Sequence, residues 1–204
     1  MRHVKNTTFV VLAGGEGSRM GRPKGLLTIA GRPILEHILQ MAQWDGPTLL
    51  VTSPGRQLPP GADGFDAEVT DPVAGLGPMR GILTALEHAK TEQIVVSPVD
   101  MPSIGGEPFH WLANALFERV GVMGLLIERA VCRELILEPL PAAFREGARN
   151  MLQQRIEGGK FSLHRLVECD LVQTIRAPES WPEAVWNNLN FPKDLVEFEQ
   201  DARG

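Results

Sequence analysis

Apolar runs of strand length recur along the chain, each followed by a stretch with helical periodicity, and this alternation restricts the fold to a sheet that carries helices on its faces. Phe9 to Ala13 and Ile94 to Ser97 read as buried strands, Thr48 to Thr52 as another strand and Ala67 to Thr70 as a short one. Between them, Pro33 to about Trp44 reads as a helix with Ile34, Ile38 and Met41 on one face, and Arg80 to Ala89 as another. The second half predicts helices over Phe109 to Arg119 and Pro141 to Ile156, and strands over Val120 to Ile127, Leu135 to Glu138 and Leu171 to Arg176. A terminal helix is expected over Lys193 to Asp201, and Arg56 to Asp66 reads as a surface loop. The expectation is one three-layer α/β/α domain over residues 1–204, with a mostly parallel, partly mixed sheet and the first strand central.

At 204 residues the chain is long enough to bury about 70% of its unfolded surface, so it needs neither disulfides nor a structural metal. With 20 Lys plus Arg against 25 Asp plus Glu, the formal charge of −5 argues against a protein that coats nucleic acid. Cys132 and Cys169 have no metal-ligand spacing and read as reduced thiols. No apolar run reaches membrane-span length, and Met1 to Thr8 lacks the apolar core of a signal peptide. The expected setting is soluble and cytoplasmic, with no membrane and no nucleic acid among the partners.

Chemistry concentrates first in Leu12 to Lys24, LAGGEGSRMGRPK, directly after the first strand. Gly14, Gly15, Gly17 and Gly21 let backbone amides approach an anion closely, and Arg19 and Lys24 add mobile positive charge. Neither the Walker A spacing nor GxGxxG is present. On residue types alone, a glycine-rich turn with two solvated cations is the competing reading.

Asp100 lies just beyond a buried strand, where open α/β sheets bind ligands, and a single carboxylate with phosphate oxygens suffices for Mg²⁺. Its alternative is a turn before Pro102. Asp71, at the head of a Gly/Pro-rich loop through Pro78, reads from residue types as a turn former. Asn188 and Asn190 precede Phe191-Pro192, a sound helix start in its own right. The five histidines lack partner spacing, and the four tryptophans read as packing residues.

Leu12 to Lys24 resembles the LAGGxSxRMGxxK signature of the molybdenum cofactor guanylyltransferases, with Gly17 where that family usually has Ser and Pro23 where an Asp often stands. GGEGSR is also similar to the GGxGTR loop of sugar nucleotidyltransferases, but the short spacing from Arg19 to Lys24 favours the cofactor branch. Asp100-Met101-Pro102 is similar to the family's metal-binding motif, and Gly77-Pro78-Met79-Arg80-Gly81-Ile82 to its Gly-Pro-Leu-x-Gly-Ile segment. Asn188 to Leu195 resembles its Asn-Ile-Asn-Thr-Pro-Glu-Asp-Leu. The middle third, Gly121 to Cys169, matches poorly and lacks the Gly-His-Pro type signature of related cytidylyltransferases, which favours guanine.

The resemblance implies a Rossmann-like nucleotidyltransferase fold and transfer of GMP from GTP to the terminal phosphate of molybdopterin, with Mg²⁺ as cofactor. It implies catalytic roles for Arg19, Lys24 and Asp100, with Asp100 as the metal ligand. Nucleotide contacts fall to Leu12, Ala13, Gly14, Gly15, Gly17, Ser18, Lys24, Asp71 and Asp100, and Asn188 and Asn190 stand near substrate or metal. Proteins that make or receive the cofactor are implied as transient partners. Left open are a related transferase using another nucleotide or a sugar phosphate, and a nucleotide-binding regulatory protein of weak catalytic power.

Overall fold

A computed structural model describes residues 4–15, 17 and 19–201. Its elements in chain order are β1 (Thr7–Leu12), a two-residue hairpin of β2 (Thr28–Ile29) and β3 (Arg32–Pro33), α1 (Ile34–Ala42), β4 (Thr48–Thr52), β5 (Ala67–Thr70) and α2 (Pro78–His88). There follow β6 (Gln93–Pro98), α3 (Gly106–Phe117), β7 (Gly124–Val131), β8 (Glu134–Arg145), α4 (Arg149–Glu157), β9 (Val172–Arg176) and α5 (Pro192–Asp201). Seven strands form one sheet in the order β5-β4-β1-β6-β8-β7-β9. β5, β4, β1 and β6 run parallel, β8 runs antiparallel to both its neighbours, and β9 is parallel to β7.

Strand alternation sends successive residues to opposite faces, and both faces are covered. From β1, Phe9 and Val11 join Leu50, Val95 and Ala143 under α1 and α3, where Ile34, Ile38, Phe109 and Leu112 complete one core layer. Val10 points the other way with Leu49, Val96, Ala142 and Phe144, packing on Met79, Ile82 and Leu86 of α2 and Leu152 of α4. This is the α/β/α sandwich expected from the sequence. Trp181, Trp186 and Leu189 extend the first layer toward the C-terminus, so the late segment is anchored to the sheet.

One expected element is corrected. Pro141 to Arg145 belongs to β8, and the helix begins only at Arg149. Ala142, Ala143 and Phe144 pair with Val96, Val95 and Ile94, with Ala143 on one core face and its two neighbours on the other. A segment buried on both faces shows no alternation, so periodicity cannot separate it from a buried helix. The strand expected from Val120 also starts later, at Gly124, because Val120 and Gly121 form an exposed turn with Gly121 at φ +83°.

Gly124 sits where β7 is clasped between β8 and β9, opposite Phe144 and Val172. A Cβ there would lie 2.9 Å from the fully buried Phe144 ring and 3.2 Å from Val172. Gly124→Ala is therefore expected to destabilise the fold by about 1–3 kcal/mol, the usual cost of overpacking. Thermal melting checks this, since each ~1 kcal/mol lowers Tm by roughly 2–4 °C in a chain of this size.

Candidate active site

A cleft of about 680 Å³ opens along the C-terminal edge of the parallel strands. Its walls come from the loops after β1, β4, β5 and β6 and from the first half of β8. Such an edge is where side chains from several strand ends converge on a ligand.

The loop after β1 is tied to its neighbours before it turns. Ala13 donates its N–H to the Val51 carbonyl (2.8 Å), and the Ser53 hydroxyl donates to the Gly14 carbonyl (2.8 Å). Leu12, Gly14, Gly15 and Gly17 line the cleft, while Ala13 is buried behind them. Gly17 has φ +57°, and a Cβ there would run into the Arg22 carbonyl oxygen. The position at which this chain departs from the LAGGxSxRMG pattern is thus one where the observed loop requires glycine.

At the centre, the Lys24 ammonium donates to Asp100 Oδ2 (2.6 Å) and to Asn190 Oδ1 (2.7 Å). The two ends of this ion pair are only 14% and 21% exposed. The Leu189 N–H binds the Asp100 carbonyl (2.8 Å), fixing the segment that carries Asn190 against the end of β6. Asp194 then accepts the N–H groups of Asn190 and Phe191, both at 2.8 Å, so the start of α5 holds the Asn190 backbone. Residues separated by 76 and 166 positions meet around one cation.

Asp71 lines the far end of the cleft beyond β5 and is 9% exposed. The Thr84 hydroxyl donates to Asp71 Oδ1 (2.5 Å), Arg80 Nε donates to Thr84 (3.0 Å), and a second Arg80 nitrogen pairs with Glu87. Burial pushes the Asp71 carboxyl above its ordinary range; the Thr84 bond and the Arg80 charge oppose this without cancelling it.

Other expected site residues are placed as follows. Asn188 lines the cleft, with its amide donating to the Trp186 carbonyl (3.1 Å). Arg19 is exposed and outside the cleft wall, its guanidinium 6.0 Å from the Phe191 ring centre. Ser18 lies outside the described residues. The histidines take structural parts where described: His37 bonds the Pro102 carbonyl (3.1 Å) and His110 stacks on Trp44. Cys132 and Cys169 are free thiols. Sequence reading did not single out Ser53, Arg56, Glu138 or Pro139, all of which line the cleft. Ser53 and Arg56 lie in the loop after β4, and Glu138 and Pro139 in the first half of β8, a positional signal that needs the strand order to be known.

No group of three or more His, Cys, Asp or Glu side chains among the described residues forms a ready metal cage. The donor set still suits Mg²⁺: a carboxylate and an amide oxygen already gather round a positive charge, and Mg²⁺ is usually held by one or two carboxylates plus substrate phosphates. No helix of the described chain is long and apolar enough to cross a membrane.

Solved structures share this architecture. The molybdopterin-guanine dinucleotide biosynthesis protein A of Archaeoglobus fulgidus superposes with a TM-score of 0.79 over 96% of this chain and 98% of that one, at 24% identity. The 2-C-methyl-D-erythritol 4-phosphate cytidylyltransferase of Thermus thermophilus follows with 0.71 over 96% and 98%, at 20% identity. The fold is thus the Rossmann-like one of these proteins. The family model of the MobA-like NTP transferase domain matches residues 9–167, and the chain belongs to that family. It is similar to the molybdenum cofactor guanylyltransferase of Yersinia pseudotuberculosis, 27% identical over 201 residues that cover 98% of each chain.

Asp71 supplies a test of the site's electrostatics. A carboxyl whose pKa is raised by folding favours the folded state below its unfolded value of 3.8, and that contribution is lost as pH rises through the raised value. Asp71→Asn keeps an oxygen for Thr84 and removes the buried charge. It is expected to melt above the parent at pH 7, and the difference should vanish as the pH falls to about 4. A variant melting below the parent at pH 7 would show that Asp71 is held as a stabilising ion.

Proposed function

We propose that the protein moves GMP from GTP to the terminal phosphate of molybdopterin, forming a guanine dinucleotide cofactor and releasing pyrophosphate. The observation that carries this reading is the convergence of Lys24, Asp100 and Asn190 beside the glycines that line the cleft. The family and its guanylyltransferase relatives support the choice of nucleotide and acceptor.

An oxygen of the acceptor phosphate attacks the α-phosphorus of GTP, the bond from that phosphorus to the bridging oxygen of the β-phosphate breaks, and pyrophosphate leaves with the electron pair. The nucleophile is already an anion at neutral pH, so no side chain has to remove a proton. Catalysis then rests on positioning and on neutralising charge. Gly14, Gly15 and Gly17 line the cleft, where their backbone can approach the triphosphate, and Lys24 serves it as a point charge. Asp100 is the residue that would hold Mg²⁺, which when bound neutralises phosphate oxygens. Asn190 keeps the Lys24 ammonium aimed into the cleft. Asp71, at the other end, accepts donors from the nucleotide.

Two substitutions test the centre. Lys24→Met keeps the stem and removes the charge, and single-turnover transfer with saturating GTP and acceptor should slow about a hundredfold, as when one electrostatic stabiliser is removed. Asp100→Ala should abolish pyrophosphate release while the protein still melts cooperatively. Wild-type rates in both would refute the role of this cluster. Selectivity is read by pyrophosphate release with molybdopterin and each NTP in turn: GTP is expected to be the productive donor, and equal or faster release from CTP would overturn the guanylyl assignment.

A further inference from the structure

Strand order arranges the cleft in a line. Asp71 follows β5, the glycine loop follows β1, Asp100 follows β6, and Glu138 lies on β8, the next strand over. At about 4.8 Å between neighbouring strands, the line from β5 to β8 spans roughly 19 Å. β8 is the next strand after β6, and Asp100 and Glu138 both line the cleft. A nucleotide laid from Asp71 across the glycine loop reaches Asp100 with its phosphates. Its acceptor must then approach from the β8 side.

That side is built around a fixed carboxylate. Arg129 Nε donates to Glu138 Oε1 (2.7 Å), another Arg129 nitrogen pairs with Glu183, and the guanidinium lies 5.5 Å from the Trp186 ring centre. Glu138 is 20% exposed and held in place, with Oε1 engaged and the side chain forming cleft wall. Beside it stand Pro139, Leu140 and Met101, which offer flat apolar contact, and the described residues of this half supply no cation to the lining. Such a wall suits a heteroaromatic ring that carries N–H donors on one edge; a polyhydroxylated or charged body would find few partners there.

Resting on the guanylyl-transfer reading, we infer that Glu138, positioned by Arg129, binds the 2-amino-4-oxo edge of the acceptor's pterin ring. The adjacent ring N–H and exocyclic amine of such an edge match a carboxylate as a paired donor. Guanine presents the same donor pattern, and Asp71 stands at the opposite end of the cleft. The line Asp71, Asp100, Glu138 therefore places one carboxylate at each heterocycle end, with the phosphate chemistry between them.

The probes are 6-hydroxymethylpterin phosphate, read by its own fluorescence, and the 2,4-dioxo analogue 6-hydroxymethyllumazine phosphate, which lacks the exocyclic amine. Wild-type protein should bind the pterin more tightly than the lumazine. Glu138→Gln should weaken pterin binding by tenfold or more, leave the lumazine affinity within about twofold, and leave GTP affinity unchanged. Glu183→Gln removes the exposed partner of Arg129 and should leave pterin binding intact, which separates contact from general loosening of the wall. Equal pterin affinity in wild type and Glu138→Gln, or a loss confined to GTP, overturns the inference while the guanylyl-transfer reading stands. Failure of wild type to bind the pterin, with binding of glucose 1-phosphate instead, overturns both.

Discussion

The site depends on one charge-assisted contact, the Lys24 ammonium shared between Asp100 and Asn190. Bonds of this kind are shorter and roughly twice as strong as neutral ones, and here both acceptors are partly buried. The contact closes the chain on itself. The glycine loop, the end of β6 and the segment before α5 cannot separate without stripping a partly buried cation of both acceptors, so the geometry of the cleft floor and the packing of the C-terminal segment share one origin. The Leu189 N–H bond to the Asp100 carbonyl and the two N–H bonds to Asp194 add directional restraint to the same junction.

The sheet supplies the frame for that contact. Parallel strands β5, β4, β1 and β6 end on one edge, and the loops beyond them can carry polar groups because they do not have to continue a ladder. β8 runs the other way, so its first half, not its end, reaches this edge. A cleft bounded by loops on one half and by a strand on the other follows from that single reversal. The loop half can wrap a flexible polyphosphate, whereas the strand half presents fixed side chains suited to a rigid ring.

Much of this was legible in the sequence for identifiable reasons. Strands β1, β4 and β6 show apolar runs with glycine, proline or aspartate close by, and the helices between them keep a clean apolar face. Lys24, Asp71 and Asp100 stand next to strand ends, so local reading finds them, and the resemblance of Asn188 to Leu195 to a known pattern singled out Asn190. The β8 wall was not legible. Ala142 to Phe144 is buried on both faces and imitates a helix, and without β8 in place nothing in the sequence brings Glu138 to the cleft wall or joins it to Arg129. Arg19 shows the converse: a cation at the expected spacing whose side chain lies against Phe191, outside the cleft wall.

The central claim is that the Lys24–Asp100–Asn190 junction receives the triphosphate, with the base toward Asp71. A crystal structure with the α,β-methylene analogue of GTP and Mn²⁺ tests it most directly, because the analogue cannot transfer its nucleotide and Mn²⁺ can be located by its anomalous scattering. The account predicts Lys24 Nζ within hydrogen-bond distance of a phosphate oxygen, Mn²⁺ on Asp100, the polyphosphate along Gly14 to Gly17 and the guanine near Asp71. An analogue seated elsewhere, with Lys24 still paired to Asp100 and no metal at that carboxylate, would contradict it.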